Sequence, residues 1–258
     1  MAATEFSLVL RLAGPLQSWG AASQFNRRET RGEPTKSGVV GLLAAAEGRR
    51  RQDPIEDLLQ LRLGVRTDRP GSLLRDYHTV SDYRGTPLPS AALAGKGTQK
   101  PTSPAKYTHV TQRFYLQDAV FVVAIGGPRG VLDTLHEALR RPAFPLALGR
   151  RACVPTQPLV LSPTDAGTLW PGDPLTVLRQ VPWQAEPASG QRRSAPVDLP
   201  VTLDDPDGDD LVADLPRSFD PRSRSFATRR VAHTWVRPPS SGEAPTGDDH
   251  DPFALLGW

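Results

Sequence analysis

Cysteine is almost absent from this chain of 258 residues, which has a single one, Cys153. One cysteine cannot form a disulfide within the chain, nor can it supply the several thiolates of a cysteine-rich zinc site. Such scarcity is typical of a reducing compartment, so we expect a cytoplasmic protein. Cys153 follows Arg150 and Arg151, which would activate an exposed thiol. We interpret it instead as a buried structural residue, because free cysteine is among the most buried residue types.

Long hydrophobic runs are also missing. The longest, Val39 to Ala46 and Ala119 to Ile125, are far shorter than the ~20 residues that a membrane-spanning helix needs. The first residues, MAATEFSLVLRL, contain neither a basic segment nor a cleavage-site pattern, so we expect no signal peptide. These absences predict that the protein has no membrane partner.

Several signatures of catalysis and cofactor binding are absent as well. The five histidines, at 78, 109, 136, 233 and 250, show none of the spacings by which two histidines on a helix bind a metal. No G-x-S-x-G elbow and no G-x-G-x-x-G turn follows a strand, which argues against a hydrolase and against a dinucleotide-binding protein. We therefore expect no metal and no cofactor.

The charges that are present are distributed unevenly. Residues 1–160 contain 22 Lys and Arg against 13 Asp and Glu, whereas residues 161–258 contain 9 against 15. The basic part favours a polyanionic partner, because contacts with phosphates account for most nonspecific affinity for nucleic acids. The alternative is an arginine-rich proteome that uses arginine on any surface, since 27 of the 31 basic residues are arginines.

Hydrophobic periodicity and helix-capping residues predict an alternation of strands and helices. We expect, in chain order, a strand at 6–12, a helix from Thr35 or Ser37 to about 48, a short helix at 55–60, a strand at 61–69 with a hairpin partner at 73–80, a strand at 119–125, a helix at 130–142 and a strand at 225–237. Residues 81–111 are poor in large apolar residues, which favours an excursion from the sheet, as an extended hairpin or arm.

This order of elements predicts an α+β fold of the ferredoxin-like or RNA-recognition-motif type. We expect this RNA-binding domain at 1–160, followed at 161–237 by an irregular, proline-rich C-terminal extension with β segments. The polar tail at 238–258 is expected to be mobile.

The loop after the first predicted strand contains the first candidate binding residues. Gln17, Ser18 and Trp19 lie between glycines, where the indole could stack on a base and the polar groups could hold a nucleotide. A tryptophan that covers the edge of the core is the alternative. Arg27 and Arg28 follow in a basic cluster that could contact phosphates.

The entry to the first predicted helix is a second candidate. Lys36, Ser37 and Gly38 lie at a helix N-terminus, where free N–H groups and the helix dipole attract anions. The segment lacks the glycine spacing and the Gly-Lys pair of a nucleotide-binding P-loop. A simple capped helix start is the alternative.

A third group lies in "LLRDYHTV". Alternation in a strand places Arg75, Tyr77 and Thr79 on one face and His78 on the other, so that an Arg-Tyr face could stack bases. An ordinary solvated face is the alternative. Tyr77, His78 and His109 also raise the possibility of metal-independent RNA cleavage, which needs a general acid and a general base.

Five segments together resemble a known family. The segments LRLAGPLQSWG, PTKSGVVGLLAAAEGRRR, LRDYHTV, YLQDAVFVVAI and LGRRACVPTQPL are similar, in the same order, to the CasD family of CRISPR-associated proteins, the Cas-five type of the RAMP superfamily. The resemblance is close over residues 6–160 and is limited to SFATRRVAHTWV beyond them.

The resemblance implies a fold and a function. It implies a RAMP domain whose thumb is the excursion at 81–111, in a non-catalytic subunit of the type I-E Cascade complex. Such a subunit grips the 5′ handle of the mature CRISPR RNA (crRNA) and docks to the backbone subunit CasC and the large subunit CasA. It meets target DNA only through the complex. A related branch cleaves precursor RNA, so the alternative is a metal-independent endoribonuclease.

We therefore predict an RNA-binding surface. A first set of its residues lies near the first helix, and a second set lies on the 73–80 strand. Arg113 and the thumb are expected to close over that strand, and Arg150 and Arg151 are further candidates. The first two sets are Gln17, Ser18, Trp19, Arg27, Arg28, Lys36, Ser37 and Gly38, and then Arg75, Tyr77, His78 and Thr79.

Overall fold

A computed structural model describes residues 5–20, 26–82, 107–163, 167–185 and 198–239. The helices are α1 (Lys36–Ala46), α2 (Glu56–Leu59), α3 (Arg129–Arg140) and α4 (Pro174–Gln180). The strands are β1 (Phe6–Ala13), β2 (Leu16–Gln17), β3 (Trp19–Gly20), β4 (Arg27–Arg28), β5 (Thr30–Arg31), β6 (Arg62–Arg69), β7 (Ser72–Asp82), β8 (Tyr107–Gln117), β9 (Val120–Gly126), β10 (Val160–Leu161), β11 (Trp170–Pro171), β12 (Leu199–Asp204), β13 (Asp210–Ser218) and β14 (Ser225–Val236).

The main sheet has the strand order β10-β1-β9-β6-β12-β14-β13, with β11 also paired to β1. Every pairing in it is antiparallel. The fold is thus α+β and built mostly of strands, as the sequence predicts. The predicted strands in β1, β6, β9 and β14 and the predicted helices α1, α2 and α3 are all confirmed.

Two apolar layers cover the two faces of this sheet. Residues Leu8, Leu10 and Leu12 of β1 pack with α1 and α3 on one face, whereas Val9 packs with α4 on the other. The strand β9 alternates in the same way and is buried throughout. Because both faces of β1 and β9 are covered, these strands have continuous hydrophobic sequences. In the described parts of the chain, no helix is long and apolar enough to cross a membrane.

The predicted hairpin between 61–69 and 73–80 is wrong. The strand β6 pairs with β9 and β12, whereas β7 leaves the main sheet and pairs with β8 from Ser72↔Gln117 to Asp82↔Tyr107. Gly71 makes this exit possible, because its φ is 72° and a Cβ there would lie 2.4 Å from the Gln117 carbonyl oxygen. On the return, Asp118 adopts a φ of 55°.

The arm, which we define as β7 and β8 with the residues between them, therefore begins earlier than the predicted excursion. Its strands belong to a second sheet of order β2-β8-β4, with β7 added to β8. The connection at 83–106 and the tail beyond 239 lie outside the described residues, so most of the predicted thumb and the predicted tail do too. The C-terminal strands extend the main sheet, because β12 pairs with β6. The domain boundary at 160 stays a prediction.

Candidate nucleic-acid interface

Gln17 and Ser18, two of the predicted RNA-binding residues, are buried where the chain leaves β1. The Gln17 amide nitrogen donates hydrogen bonds to the carbonyls of Leu12 at 2.9 Å and Ala119 at 2.8 Å. The Ser18 hydroxyl donates to the Phe114 carbonyl at 3.2 Å. Both side chains thus satisfy backbone groups of neighbouring strands, and the expectation that they line a surface is corrected.

Trp19 is also buried, with 0% of its surface exposed. Its ring packs against the start of α1, where a Cβ on Gly38 would lie only 2.7 Å from the indole carbon Cε3. Gly38 therefore lets the helix approach the ring closely. The burial supports the alternative interpretation, in which the tryptophan covers the edge of the core. Because the protein itself covers the indole, Trp19 is not available at the surface to stack on a base.

The N-terminus of α1 already holds an anion from the protein. The carboxylate of Asp214 accepts a hydrogen bond from the Lys36 backbone nitrogen at 2.8 Å, and the Thr35 hydroxyl oxygen accepts one from the Gly38 nitrogen at 3.1 Å. The Ser37 hydroxyl is half-buried and lies 3.2 Å from that of Thr35. The helix dipole thus acts on a carboxylate of β13, which replaces the expected phosphate.

The Lys36 side chain is buried in an ion network with the C-terminal strands. Its Nζ lies 2.7 Å from a carboxylate oxygen of Asp204 in β12, and Arg229 in β14 binds both Asp204 and Asp214. Burial acts to lower the pKa of Arg229, but the hydrogen bonds and charges of Asp214 and Asp204 outweigh it and raise that pKa. Two cations and two carboxylates balance in this network, so Lys36 is not available to RNA.

The basic residues of β4 lie at the surface, as predicted. Arg27 is 66% exposed at its side chain, pairs with Glu29 at 2.7 Å and stacks on the Phe114 ring with 5.1 Å from Cζ to the ring centre. Arg28 is exposed and lies opposite Arg113 of β8 in a parallel pairing. Among the described residues, neither Arg28 nor Arg113 forms an ion pair with a carboxylate. The structure thus brings these three arginines together on a basic surface around the β4 edge of the arm's sheet, where Arg28 and Arg113 share one face and Arg27 lies on the other, over Phe114.

Arg150 holds this surface in place. Its guanidinium donates to the Phe114 carbonyl at 3.0 Å and to the Arg28 carbonyl at 2.7 Å, and it stacks on the Tyr115 ring at 4.7 Å. The side chain thus ties β4 to β8. The next residue, Arg151, is exposed. The nearby Cys153 is fully buried, and burial raises the pKa of its thiol, in agreement with the interpretation as a structural residue.

The predicted residues of the arm are accessible. Arg75, Tyr77 and Thr79 are exposed on β7, with 65% of Tyr77 accessible. His78 is half-buried on the other face, and its Nδ1 lies 4.0 Å from a carboxylate oxygen of Asp76. The side chain of His109 lies outside the described residues, so no acid–base pair with His78 can be described. Within the described ranges, no cluster of His, Cys, Asp or Glu could hold a metal ion.

Two further exposed arginines, which the sequence analysis did not select, add positive charge near Arg28. Arg51 lies in the turn after α1, and Arg224 lies immediately before β14. The pKa of Arg224 is lowered by its partial burial and by the positive charges of Arg51 and Arg28. All three arginines are exposed. No local pattern marks Arg224 as a binding residue, because the chain reaches this site only through the packing of the C-terminal strands.

Comparisons with known proteins agree with these features. A family model described as CRISPR-associated protein (Cas_Cas5) matches residues 7–232. The CRISPR system Cascade subunit CasD of Escherichia coli (strain K12) is 35% identical over 189 residues, which cover 66% of this chain and 75% of that protein.

Solved structures show the same relationship. A chain of a CRISPR RNA-guided surveillance complex is 37% identical and superposes with a TM-score of 0.72, covering 90% of this chain and 91% of that one. A second structure, of a Cas protein, is also 37% identical, with a TM-score of 0.64 and coverages of 90% and 95%. Since the family model spans most of the sequence, the chain belongs to this family of CRISPR-associated proteins.

Proposed function

We propose that this chain is a non-catalytic, RNA-binding subunit of a type I-E Cascade surveillance complex that grips the 5′ handle of the mature crRNA. The observation that carries the proposal is the surface of Arg27, Arg28 and Arg113 at the base of the arm, on which two of the three guanidiniums have no carboxylate partner among the described residues. Guanidinium groups bind phosphates in a bidentate manner, which suits a strand of fixed shape. The Cascade subunit CasD among the relatives supports membership in such a complex.

The proposed RNA path runs from this surface along the arm. Tyr77 offers an exposed ring for stacking, and Arg75 and Thr79 share its face. On the opposite face of the arm, His78 lies on the same side as Arg113 and is proposed as a further contact, as is Arg151, whereas Arg150 acts as a positioning residue. The side chains of Gln17, Ser18, Trp19 and Lys36 are excluded from it because their polar groups are engaged within the protein.

The strand order supports a ferredoxin-like RAMP core for this function. In β10-β1-β9-β6, α1 connects β1 to β6 and α3 connects β9 to β10, which is the β-α-β-β-α-β arrangement with the arm inserted between its middle strands. Exposed apolar residues on both faces of the arm, such as Leu73 and Val80, suit contacts with the neighbouring subunits CasC and CasA. Target DNA would be met only through the assembled complex.

RNA binding by the full chain tests this proposal. A fluorescein-labelled RNA with the CRISPR repeat sequence is titrated at several salt concentrations, beside a scrambled RNA of the same length. The double variant Arg27→Gln, Arg113→Gln should reduce the slope of log affinity against log salt by about 1.4, since each phosphate contact on a single strand contributes about 0.7. Arg179→Gln is the control, because Arg179 is an exposed arginine on α4, which packs on the face of the main sheet opposite to α1 and α3.

A cleavage assay with the same protein distinguishes the proposed binding function from the endoribonuclease alternative. A repeat-derived hairpin RNA should stay intact in EDTA under an excess of protein that binds it. Specific cleavage that is lost in His78→Ala would support the alternative. An unchanged salt slope in the double variant would overturn the proposed surface.

A further inference from the structure

The strand β7 has one paired edge and one open edge. It pairs with β8 over all 11 of its residues, from Ser72↔Gln117 to Asp82↔Tyr107, without a bulge. Within the described ranges of the chain, no strand pairs with its other side. This open edge is ~37 Å long at about 3.4 Å per residue, and every second residue directs its backbone N–H and C=O groups away from β8. The arm therefore presents a hydrogen-bonding ladder that another strand can complete.

The open edge lacks the features that keep an edge strand unpaired. Such strands are typically short, bulged or interrupted by proline or lysine. The segment SLLRDYHTVSD is long and regular, and it contains neither proline nor lysine. Apolar side chains are accessible on both of its faces, since Leu73 is 65% exposed and Val80 is 39% exposed. These features are typical of an edge that pairs with a strand of another chain.

The polar residues of β7 are complementary to themselves when two copies run antiparallel about Tyr77. In that register Asp76 of each copy lies opposite His78 of the other, so a carboxylate faces an imidazole twice. On its β8 side Asp76 is opposite Arg113, so each carboxylate would have a basic group on both sides. A register centred on Asp76 or on His78 would instead place that residue opposite its own copy, and like groups would meet.

The other pairs of the register centred on Tyr77 avoid repulsion and add contact. Leu74 lies opposite Val80, and both are accessible in the free chain, at 37% and 39%. On the other face Arg75 lies opposite Thr79, so the two arginines are kept apart. Tyr77 is 65% exposed and lies opposite its own copy at the symmetry axis, where two rings can stack.

We propose that free copies of this chain dimerise by antiparallel pairing of their β7 edges, in the register centred on Tyr77. The sheets of the two arms then form one continuous sheet across a two-fold axis. The interface is isologous, because each copy contributes the same edge. The pairing is formed by the backbone edge of β7 and does not require the proposed RNA contacts, so it goes beyond the proposed function.

Disulfide trapping in the full chain tests the register. Cys153 is fully buried and does not compete with a cysteine introduced on β7. In Tyr77→Cys the two Cα atoms of a dimer are about 4.5–5.5 Å apart, which a disulfide needs. In Arg75→Cys or Thr79→Cys alone they are at least ~13 Å apart, whereas a mixture of these two variants brings a cysteine of each opposite the other. We expect disulfide dimers from Tyr77→Cys and from the mixture on non-reducing gels. Trp235→Cys, at an equally exposed position of β14, is the control and should give few.

Sedimentation velocity of the full chain without RNA measures the equilibrium. The wild type should contain a dimer whose fraction rises with protein concentration. Tyr77→Lys places two ammonium groups opposite each other and should raise the dissociation constant about tenfold or more. Trp235→Lys makes a similar change at an equally exposed aromatic residue and should not alter it. His78→Asp alone places carboxylates opposite each other and should weaken the dimer. The double exchange Asp76→His, His78→Asp keeps each carboxylate opposite an imidazole and should restore it.

Three results would overturn this inference. The first is equal disulfide formation by Tyr77→Cys, Arg75→Cys and Trp235→Cys, and the second is a wild type that stays monomeric at every concentration. The third is an open edge that binds only an extended segment of another protein subunit, because the occupant is then not a second copy. The proposed function stands or falls separately, on the salt slope of the Arg27→Gln, Arg113→Gln variant.

Discussion

The side chain of Gln17 accepts a hydrogen bond from the indole nitrogen of Trp19, with 3.1 Å between Oε1 and Nε1. The amide nitrogen of Gln17 at the same time donates to the carbonyls of Leu12 and Ala119. One buried amide thus connects the end of β1, the start of β9 and the ring beneath α1. The segment after β1 is therefore held in place by buried hydrogen bonds, and its role at Gln17 and Trp19 is structural.

Replacement of Gln17 by Ala should destabilise the protein strongly. It would leave the indole nitrogen without its partner and remove the side-chain hydrogen bonds to two carbonyls inside the core, and each group left unsatisfied costs about 1–3 kcal/mol. We expect the free energy of unfolding to fall by at least ~3 kcal/mol, measured by urea denaturation. Gln117→Ala is the matched control, because Gln117 is an exposed residue of β8, and its effect should be within ~0.5 kcal/mol. Equal effects of the two substitutions would contradict this role of Gln17.

Replacement of Arg229 by Met should also be costly. Arg229 neutralises Asp204 and Asp214, and Asp214 occupies the N-terminus of α1. Removal of one partner from a buried ion network costs about 3–5 kcal/mol, because a carboxylate remains buried without its counter-charge. We expect a loss of about 3 kcal/mol or more in urea denaturation. The matched variant Arg217→Met changes an exposed arginine of β13 and should cost ~0.5 kcal/mol or less. A larger loss in Arg217→Met would show that the loss in Arg229→Met is not specific to the buried ion network.

The elements of the main sheet could be predicted from the sequence because local patterns determine them. The strand β1 and the helix α3 have the periodicity of the faces that they bury, and Thr35 caps α1 as its position suggested. The pairing of β7 could not be predicted in the same way. Most of its residues are exposed on both faces, so its alternation is compatible with either neighbour. The turn at Gly71 and the return at Asp118 direct it to β8.

The candidate site shows the same division. Exposed arginines such as Arg27 and Arg28 were found from their clustering, since charge on a short strand needs no distant partner. Lys36 was selected for a ligand, but its backbone nitrogen binds Asp214, which lies 178 residues further along the chain. The acidity of the C-terminal third is partly explained by this contact, because some of its carboxylates neutralise cations of the first part. Such long-range pairs leave no local signal in a sequence.

The stability contributed by Asp173 should depend on pH. Its carboxylate accepts hydrogen bonds from the Leu175 nitrogen at 2.9 Å, the Thr176 nitrogen at 3.1 Å and the Thr176 hydroxyl at 2.6 Å at the start of α4. Burial acts to raise the pKa of Asp173, but these bonds outweigh it and hold the pKa below its ordinary value of 3.8. Because the folded pKa is lower than the unfolded one, the charged cap stabilises the fold above 3.8, and this stabilisation is lost as the pH falls through the folded pKa.

Asp173→Ala should therefore lower the free energy of unfolding by about 1 kcal/mol at neutral pH. The difference from the wild type should stay constant down to a pH near 3.8 and narrow below it, measured by denaturant unfolding over a pH series. Asp173→Asn keeps a capping oxygen that does not titrate, so its difference from Asp173→Ala should not change with pH. A gap between wild type and Asp173→Ala that widens in acid would have the wrong sign for this mechanism.

Replacement of Arg150 by Lys should weaken RNA binding without changing its salt dependence. A single ammonium group cannot bind the carbonyls of both Phe114 and Arg28 as the guanidinium does, so β4 loses its fixed position against β8. The net charge is unchanged, and the salt slope should therefore stay the same while affinity falls about tenfold, or ~1.4 kcal/mol. Fluorescence anisotropy titrations measure both quantities, and the control variant Arg179→Lys, at an exposed position of α4, should keep the wild-type affinity. If Arg150→Lys keeps full affinity while Arg150→Gln reduces the slope by about 0.7, then Arg150 contacts a phosphate itself and does not act by holding β4.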